Sequence, residues 1–370
     1  MKIIHWLFTL ASISFLLSAS PAKAEELPLG LQLPTYNKHI FGSEPQKFYM
    51  YTTRNFEGKA SKPWTAGQYG YVRNLRRTSE GVIGTRFHEG IDIRPMKRDS
   101  AGRPLDYVRS IAKGRIVYVN SVAGNSNYGK YVVIEHHWGS KLGPFFSLYA
   151  HLDSADCKVG QQVDAGTIIA KMGYTGRGIN RERAHLHLEL NVMAQSDFDH
   201  WHHHYFGSNN QHGAYNGLNM NGLNIAELFI KHNKDKSLKM SDFIRKIPVY
   251  FKVTIPRKGG KALDIAKRYP WIRKGDHSKA TPSWEISYAS SGFPLAVTPS
   301  LRSVSAPVVS YVKPTRSNHS YHTKGLLTGT NRSASLTRIG KRTVALITGE
   351  FPKQAAPEPE QEPTSATPTQ

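Results

Sequence analysis

From residue 46 to about 200, short β-branched and aromatic runs are separated by Gly, Asn, Asp or Ser. This is the pattern of strands rather than helices. The clearest runs are 114–119, 130–136, 145–151, 162–163 and 167–170, and 185–192 closes the set. A glycine-bounded stretch at 124–129 and the turn Asp164-Ala165-Gly166 separate neighbouring runs. Connections this short favour antiparallel neighbours over crossovers. The period changes at Asn224, where Ile225-Ala226-Glu227-Leu228-Phe229-Ile230-Lys231 predicts a short helix with Asn at its start. Weaker helical signals and a proline occupy 241–275. Strand-like pieces return at 284–288 and 343–347. The chain therefore reads as mainly β, with a short helical segment and a small C-terminal β module.

The ends change the picture. Met1-Lys2, an apolar run over 3–17 and Ser20-Pro21-Ala22-Lys23-Ala24 predict a signal peptide over 1–24, cleaved after Ala24. That end lacks a cysteine, so no lipid-modified N-terminus is expected. No later segment is long and apolar enough to span a bilayer, so no transmembrane segment is expected after signal removal. The protein is expected to be exported, to the periplasm, the cell envelope or the outside. Residues 25–45 read as a linker or wrapping segment. The tail over 353–370, rich in Pro, Glu, Gln and Thr, is too poor in apolar residues to fold.

One cysteine, Cys157, excludes an intramolecular disulfide. It sits in a polar turn-like stretch and reads as a structural thiol rather than a nucleophile. The net charge is +22, and residues 231–352 carry 23 Lys and Arg against 6 Asp and Glu. Such a balance first suggests nucleic acid, a partner that export sets aside. Anionic envelope polymers or phospholipid head groups then become the counter-charge for the basic C-terminal part. A solvated basic surface is the plain alternative.

The candidate chemistry lies in the β region. His185-Leu186-His187-Leu188-Glu189 alternates, so in a strand both histidines and Glu189 share one face while the leucines share the other. A polar-faced surface strand gives the same alternation. His88 and Asp92 stand four apart in His88-Glu89-Gly90-Ile91-Asp92. An extended strand would separate them by about 13 Å, and Gly90, Ile91, Ile93 and Pro95 argue against a helix. Both reach one ion only if the chain bends near Gly90. His151 follows Leu148-Tyr149-Ala150 in a strand. Imidazoles with one carboxylate make a ligand set that suits zinc.

Residues from about 80 to 195 resemble a lysostaphin-type zinc metallopeptidase of the twenty-third metallopeptidase family. The resemblance rests on the 88–92 motif, the 125–128 loop, and Leu148-Tyr149-Ala150-His151-Leu152. Val159-Gly160-Gln161-Gln162-Val163-Asp164-Ala165-Gly166, Gly173-Tyr174-Thr175-Gly176 and the 185–189 motif complete it, in the family's order. It covers roughly a third of the chain. It implies a compact antiparallel β-sheet with a groove. The pattern along the chain sets that domain at 46–222, followed by a helical segment at 223–283 and a basic β-rich module at 284–352. The resemblance further implies one Zn²⁺ held by His88, Asp92 and His187, with His185 and His151 as the catalytic pair. The substrate implied is the peptide of bacterial peptidoglycan. His185 would take a proton from the attacking water and His151, with zinc, would steady the oxyanion, roles that the two could exchange or share.

The chain departs from the family in its approach to the His-x-His pair. Arg177-Gly178-Ile179-Asn180-Arg181-Glu182-Arg183-Ala184 replaces a shorter Gly/Ser-rich stretch, and its arginines are candidates for substrate carboxylates. A polar insertion at 97–106 is a candidate groove wall. The histidine-rich 200–204 is a candidate second metal site, with Trp201 a candidate for stacking on sugar rings; a surface loop is the plainer reading. The alternative function is a non-catalytic envelope protein of this fold that binds peptidoglycan or activates other hydrolases.

Overall fold

The computed structural model describes residues 26–260 and 262–351. The expected signal peptide and C-terminal tail lie outside them. In chain order the strands of the first part are β1 (Arg54–Phe56), β2 (Lys59–Ser61), β3 (Gly70–Thr78), β4 (Gly81–His88), β5 (Ile91–Ile93), β6 (Tyr107–Arg109) and β7 (Gly114–Asn120). They continue as β8 (Lys130–His136), β9 (Phe145–Ala155), β10 (Gln162–Val163), β11 (Ile168–Met172), β12 (Leu186–Met193) and β13 (Met220–Leu223). Helix α1 (Phe198–Phe206) lies between the last two. The structure is mainly β and its strand pairs are antiparallel, as the short connections require.

One nine-stranded sheet carries the path β10-β7-β8-β9-β11-β6, with β12 joined to β9, β5 and β13. Strand β9 is the pivot. On one side it pairs with β8 along most of its length. On the other side, residues 146–150 pair with β12, and residues 152–155 pair with β11. His151 falls between the two partners, with φ of 61°, a left-handed conformation uncommon outside glycine. On β12 the register sets His187 opposite Ala150 on one side and Asp92 on the other. Cross-strand pairing thus brings two residues 95 positions apart into contact range.

The leucines of β12 enter the main core with Ile93, Tyr149 and Ile134. The segment 26–45 wraps this core: Leu29, Leu31 and Ile40 are buried in it, and the Trp138 indole donates to the Leu29 carbonyl.

Downstream come α2 (Ile225–Lys234), α3 (Met240–Arg245), β14 (Phe251–Pro256), α4 (Asp264–Arg268), β15 (Ser283–Tyr288), β16 (Pro294–Ser300), β17 (Val308–Val312) and α5 (Arg338–Thr348). The Asn224 side chain accepts from the Glu227 amide and caps α2. Two readings need correction. The expected helical stretch yields β14, which becomes an inner strand of a second sheet ordered β16-β15-β14-β17. The expected strand at 343–347 is instead part of α5. Thr337 caps that helix by accepting from Gly340, and Gly349 ends it in the left-handed region. These caps outweigh the β-branched run between them. Among the described residues no helix is long and apolar enough to cross a membrane.

Candidate metal centre

His88 ends β4 and Asp92 sits in β5, with Glu89 and Gly90 forming the bend between them. Glycine is needed there for space, and its φ is not in the left-handed range. A Cβ on Gly90 would lie 2.2 Å from the Leu188 carbonyl oxygen and 2.8 Å from Glu189 Cγ. The bend therefore lies flat against β12, and His88, Asp92 and His187 converge.

Three atoms define the centre. His88 Nε2 lies 3.1 Å from Asp92 Oδ1 and 3.1 Å from His187 Nδ1, and His187 Nδ1 lies 3.0 Å from Asp92 Oδ1. Tetrahedral ligands bonded to zinc at ~2.1 Å stand roughly 3.4 Å apart, so the observed triangle is a few tenths of an ångström tight. All three side chains are buried. Among the described residues this is the group of three or more His, Cys, Asp or Glu side chains arranged to hold a metal.

Each ligand atom has a partner behind it that fixes its orientation. The other nitrogen of His88, Nδ1, bonds the Gln68 carbonyl at 2.8 Å and so must carry the proton, leaving Nε2 as a lone-pair donor. His187 presents Nδ1 because Nε2 donates to Glu189 Oε1 at 2.8 Å. Glu189 is itself fixed by the Tyr128 hydroxyl on Oε1 and the Asn191 amide on Oε2. Asp92 offers Oδ1 because Arg73 occupies Oδ2 at 2.5 Å, while Arg73 Nε donates to the Ala66 carbonyl. The donor set and its support fit a zinc ion, with two imidazole nitrogens and one carboxylate oxygen facing a common point.

Charge is managed accordingly. Burial raises the Asp92 carboxyl, but His88 and His185 outweigh it and hold Asp92 well below the usual carboxylate range. Burial pushes the His88 imidazole down. Burial also opposes charge on His187, yet its bonds to Asp92 and Glu189 prevail and raise it to about 9.

Two further imidazoles flank the triangle. His185 Nε2 lies 3.4 Å from Asp92 Oδ1, and its Nδ1 donates to the Arg183 carbonyl at 2.6 Å. His151 donates Nδ1–H to the Thr175 carbonyl at 2.8 Å, and its ring centroid is 4.8 Å from that of His185. Burial, followed by the nearby His185 and His187, holds His151 well below the ordinary histidine range. Gly176 permits this contact. A Cβ there would meet the Asn127 carbonyl at 2.4 Å and His151 Nδ1 at 3.1 Å.

With His88 buried behind them, Asp92, His187, His185 and His151 open on a cleft of about 1250 Å³. Its walls are the β3–β4 hairpin, the 123–128 loop, the 176–183 loop and the segment 212–218. Arg177 and Arg183 line it, whereas Arg181 does not. The 97–106 insertion is not a wall: Arg98 donates to the Arg181 and Glu182 carbonyls and braces the arginine loop from behind. Residues 200–204 form most of α1 and, among the described residues, join no group of three or more metal-ligating side chains. Trp201 is buried with its indole on the Arg342 carbonyl, so it is not free to stack on a sugar. Cys157 is buried away from the cleft, and burial raises its thiol to about 11.

Sequence reasoning missed Arg73 and the backing role of Glu189. The alternation of His185, His187 and Glu189 already put that carboxylate on the ligand face. Arg73, in a hairpin before the motif, carries no comparable signal.

A family model described as Peptidase family M23 matches residues 86–199. The "Lipoprotein NlpD" of Yersinia enterocolitica is 32% identical over 98 residues, which are 26% of this chain and 90% of that protein. The "Murein hydrolase activator NlpD" of Escherichia coli (strain K12) is 34% identical over 111 residues, 30% of this chain and 24% of that protein. This chain thus spans about a quarter of the length of the murein hydrolase activators it matches. Among solved structures, a zinc containing peptidase from Vibrio cholerae aligns at 26% identity and a TM-score of 0.24, covering 39% of this chain and 36% of that one. The catalytic domain of lysostaphin from Staphylococcus simulans aligns at 23% identity and a TM-score of 0.22, covering 38% and 79%.

Proposed function

Because the chain belongs to peptidase family M23, we propose that it is an exported zinc-dependent endopeptidase hydrolysing peptide bonds of bacterial peptidoglycan. The observation that supports the reading is the buried triangle of His88 Nε2, Asp92 Oδ1 and His187 Nδ1, each atom oriented from behind, with Asp92 and His187 lining an open cleft. Three protein ligands leave a tetrahedral ion one vertex for chemistry. Zinc, when bound, supplies Lewis acidity toward a water and the scissile carbonyl.

The chain's own residues supply orientation and proton transfer. His185 and His151 both commit Nδ1–H to backbone carbonyls, so in the neutral state both Nε2 atoms present lone pairs to the cleft. His185 Nε2, beside the ligand carboxylate, accepts the proton of the attacking water. The oxyanion-supporting role first assigned to His151 needs a proton on Nε2, which its tautomer lacks until one is transferred. The pair therefore acts in sequence, taking a proton during attack and giving it to the leaving amine.

A second reading is a non-catalytic activator, favoured by the similarity of this chain to the murein hydrolase activators. Digestion of purified cell walls separates the two. The endopeptidase reading expects soluble fragments from the wild-type full chain and none from His185→Ala, which keeps its zinc. A zinc-loaded wild type that releases nothing supports the activator. The basic residues of 231–352 are proposed to dock the protein on anionic envelope polymers. Retention on walls that falls as salt rises tests that part.

A further inference from the structure

We propose that the cleft selects peptides carrying free carboxylates beside the scissile bond, and that Arg86, Arg177 and Arg183 bind them. The inference rests on the endopeptidase reading of the same site and specifies its substrate class. It comes from the charges lining the cleft. The carboxylates there are Glu89 and Asp92, and each is matched: Glu89 pairs with Lys324 at 2.9 Å, and Asp92 with Arg73. The remaining arginines are unmatched. Among the described residues none of Arg86, Arg177 or Arg183 has an ion-pair partner. Arg86 and Arg177 are exposed to the cleft. Arg183 makes one long bond to the Gly178 carbonyl at 3.3 Å, and its Nε is buried without a hydrogen-bond partner.

Three uncompensated guanidiniums around a buried metal centre make a strongly positive basin. A cleft of that kind concentrates anionic ligands and holds carboxylates through forked, charge-assisted bonds. The arginines come from two walls, β4 for Arg86 and the 176–183 loop for Arg177 and Arg183. A peptide lying between those walls meets a cation on either side. A neutral glycine bridge offers these groups nothing, whereas a cross-linked peptide with ionised side-chain carboxyls satisfies them.

The test uses two cross-linked wall peptides, fluorescently labelled, one with its side-chain carboxyls free and the other with the same carboxyls as carboxamides. Binding to the full-length His185→Ala chain is measured by anisotropy, so that bound peptide is not consumed. We expect the free acid to bind about tenfold more tightly at low salt, with the advantage shrinking at 300 mM salt by screening. Arg177→Gln, Arg183→Gln and Arg86→Gln each reduce that advantage, and the triple variant abolishes it. Equal affinity for the two peptides, or a preference that survives the triple variant, overturns the proposal. Hydrolysis by the wild-type chain is followed in parallel. If neither peptide is cut, the endopeptidase reading fails, and the affinity comparison still decides the carboxylate preference.

Discussion

Glu189 Oε1 accepts the Nε2 proton of His187 at 2.8 Å, and this contact determines which nitrogen His187 turns toward His88 and Asp92. The two residues are neighbours on one face of β12, so the strand that supplies the ligand also supplies its support. Partners of this kind are worth on the order of 10–100-fold in metal affinity. Glu189→Gln keeps an acceptor but loses the charge, and is expected to weaken zinc binding about tenfold. Glu189→Leu removes the acceptor and strands the Tyr128 hydroxyl, with an expected loss of about a hundredfold. Competition with a chromophoric chelator measures both, and unchanged affinity in the leucine variant would refute the role.

Gly90 makes a steric demand. Its Cβ position lies 2.2 Å from the Leu188 carbonyl oxygen, with backbone on one side and Glu189 on the other. Gly90→Ala must push β5 away from β12 and widen the triangle. We expect at least a tenfold loss of zinc affinity, of the size seen when a ligand's support is disturbed. Circular dichroism should remain β-rich, because the displaced element is three residues long.

His136 gives a pH-dependent contribution to stability. It is fully buried between the Lys113 carbonyl and the Ser147 hydroxyl, and burial pushes its imidazole down to about 4. The unfolded chain binds a proton near 6.5 while the folded chain stays neutral. The contribution is thus complete above pH 6.5 and is lost as pH falls from there toward 4. Its total is about 3 kcal/mol. The His136 ring resonance in NMR should titrate near pH 4, and a midpoint near 6.5 would contradict the assignment.

Glu80, at the tip of the β3–β4 hairpin, accepts from the Thr315 hydroxyl and from the Arg316 and Ser317 amides. Its bonds to Ser317, Arg316 and Thr315 lower the carboxyl to about 2. The contact therefore holds above the ordinary carboxylate range and weakens as pH falls toward 2. Glu80→Ala should speed amide exchange in 76–83 while zinc affinity stays unchanged, since His88 is anchored separately by Gln68. Unaltered exchange would mean that the downstream segment does not pin the hairpin.

Much of this was legible in the sequence for identifiable reasons. The Leu/His alternation of 185–190 survives because β12 has the core on one face and the cleft floor on the other. The need for a bend between His88 and Asp92 followed from strand length alone, although the reason for glycine, contact with Leu188, required the neighbouring strand. The left-handed His151 was not legible, because its conformation arises where β9 changes partners. Nor was Arg73, whose approach to Asp92 depends on how the β3–β4 hairpin lies across β5. The helix at 338–348 was misread from Val344 and Ile347, while Thr337 and Gly349 held the contrary signal.

Zinc K-edge absorption on the purified full-length chain tests the metal centre most directly. One zinc per chain, with outer-shell scattering from two imidazoles, light-atom bonds near 2.0–2.1 Å and no sulfur, is the result this account requires. The second imidazole should vanish in His187→Ala and persist in His185→Ala and His151→Ala. A chain that takes up no zinc, or a spectrum whose imidazole count falls with His185 or His151 instead, would contradict it.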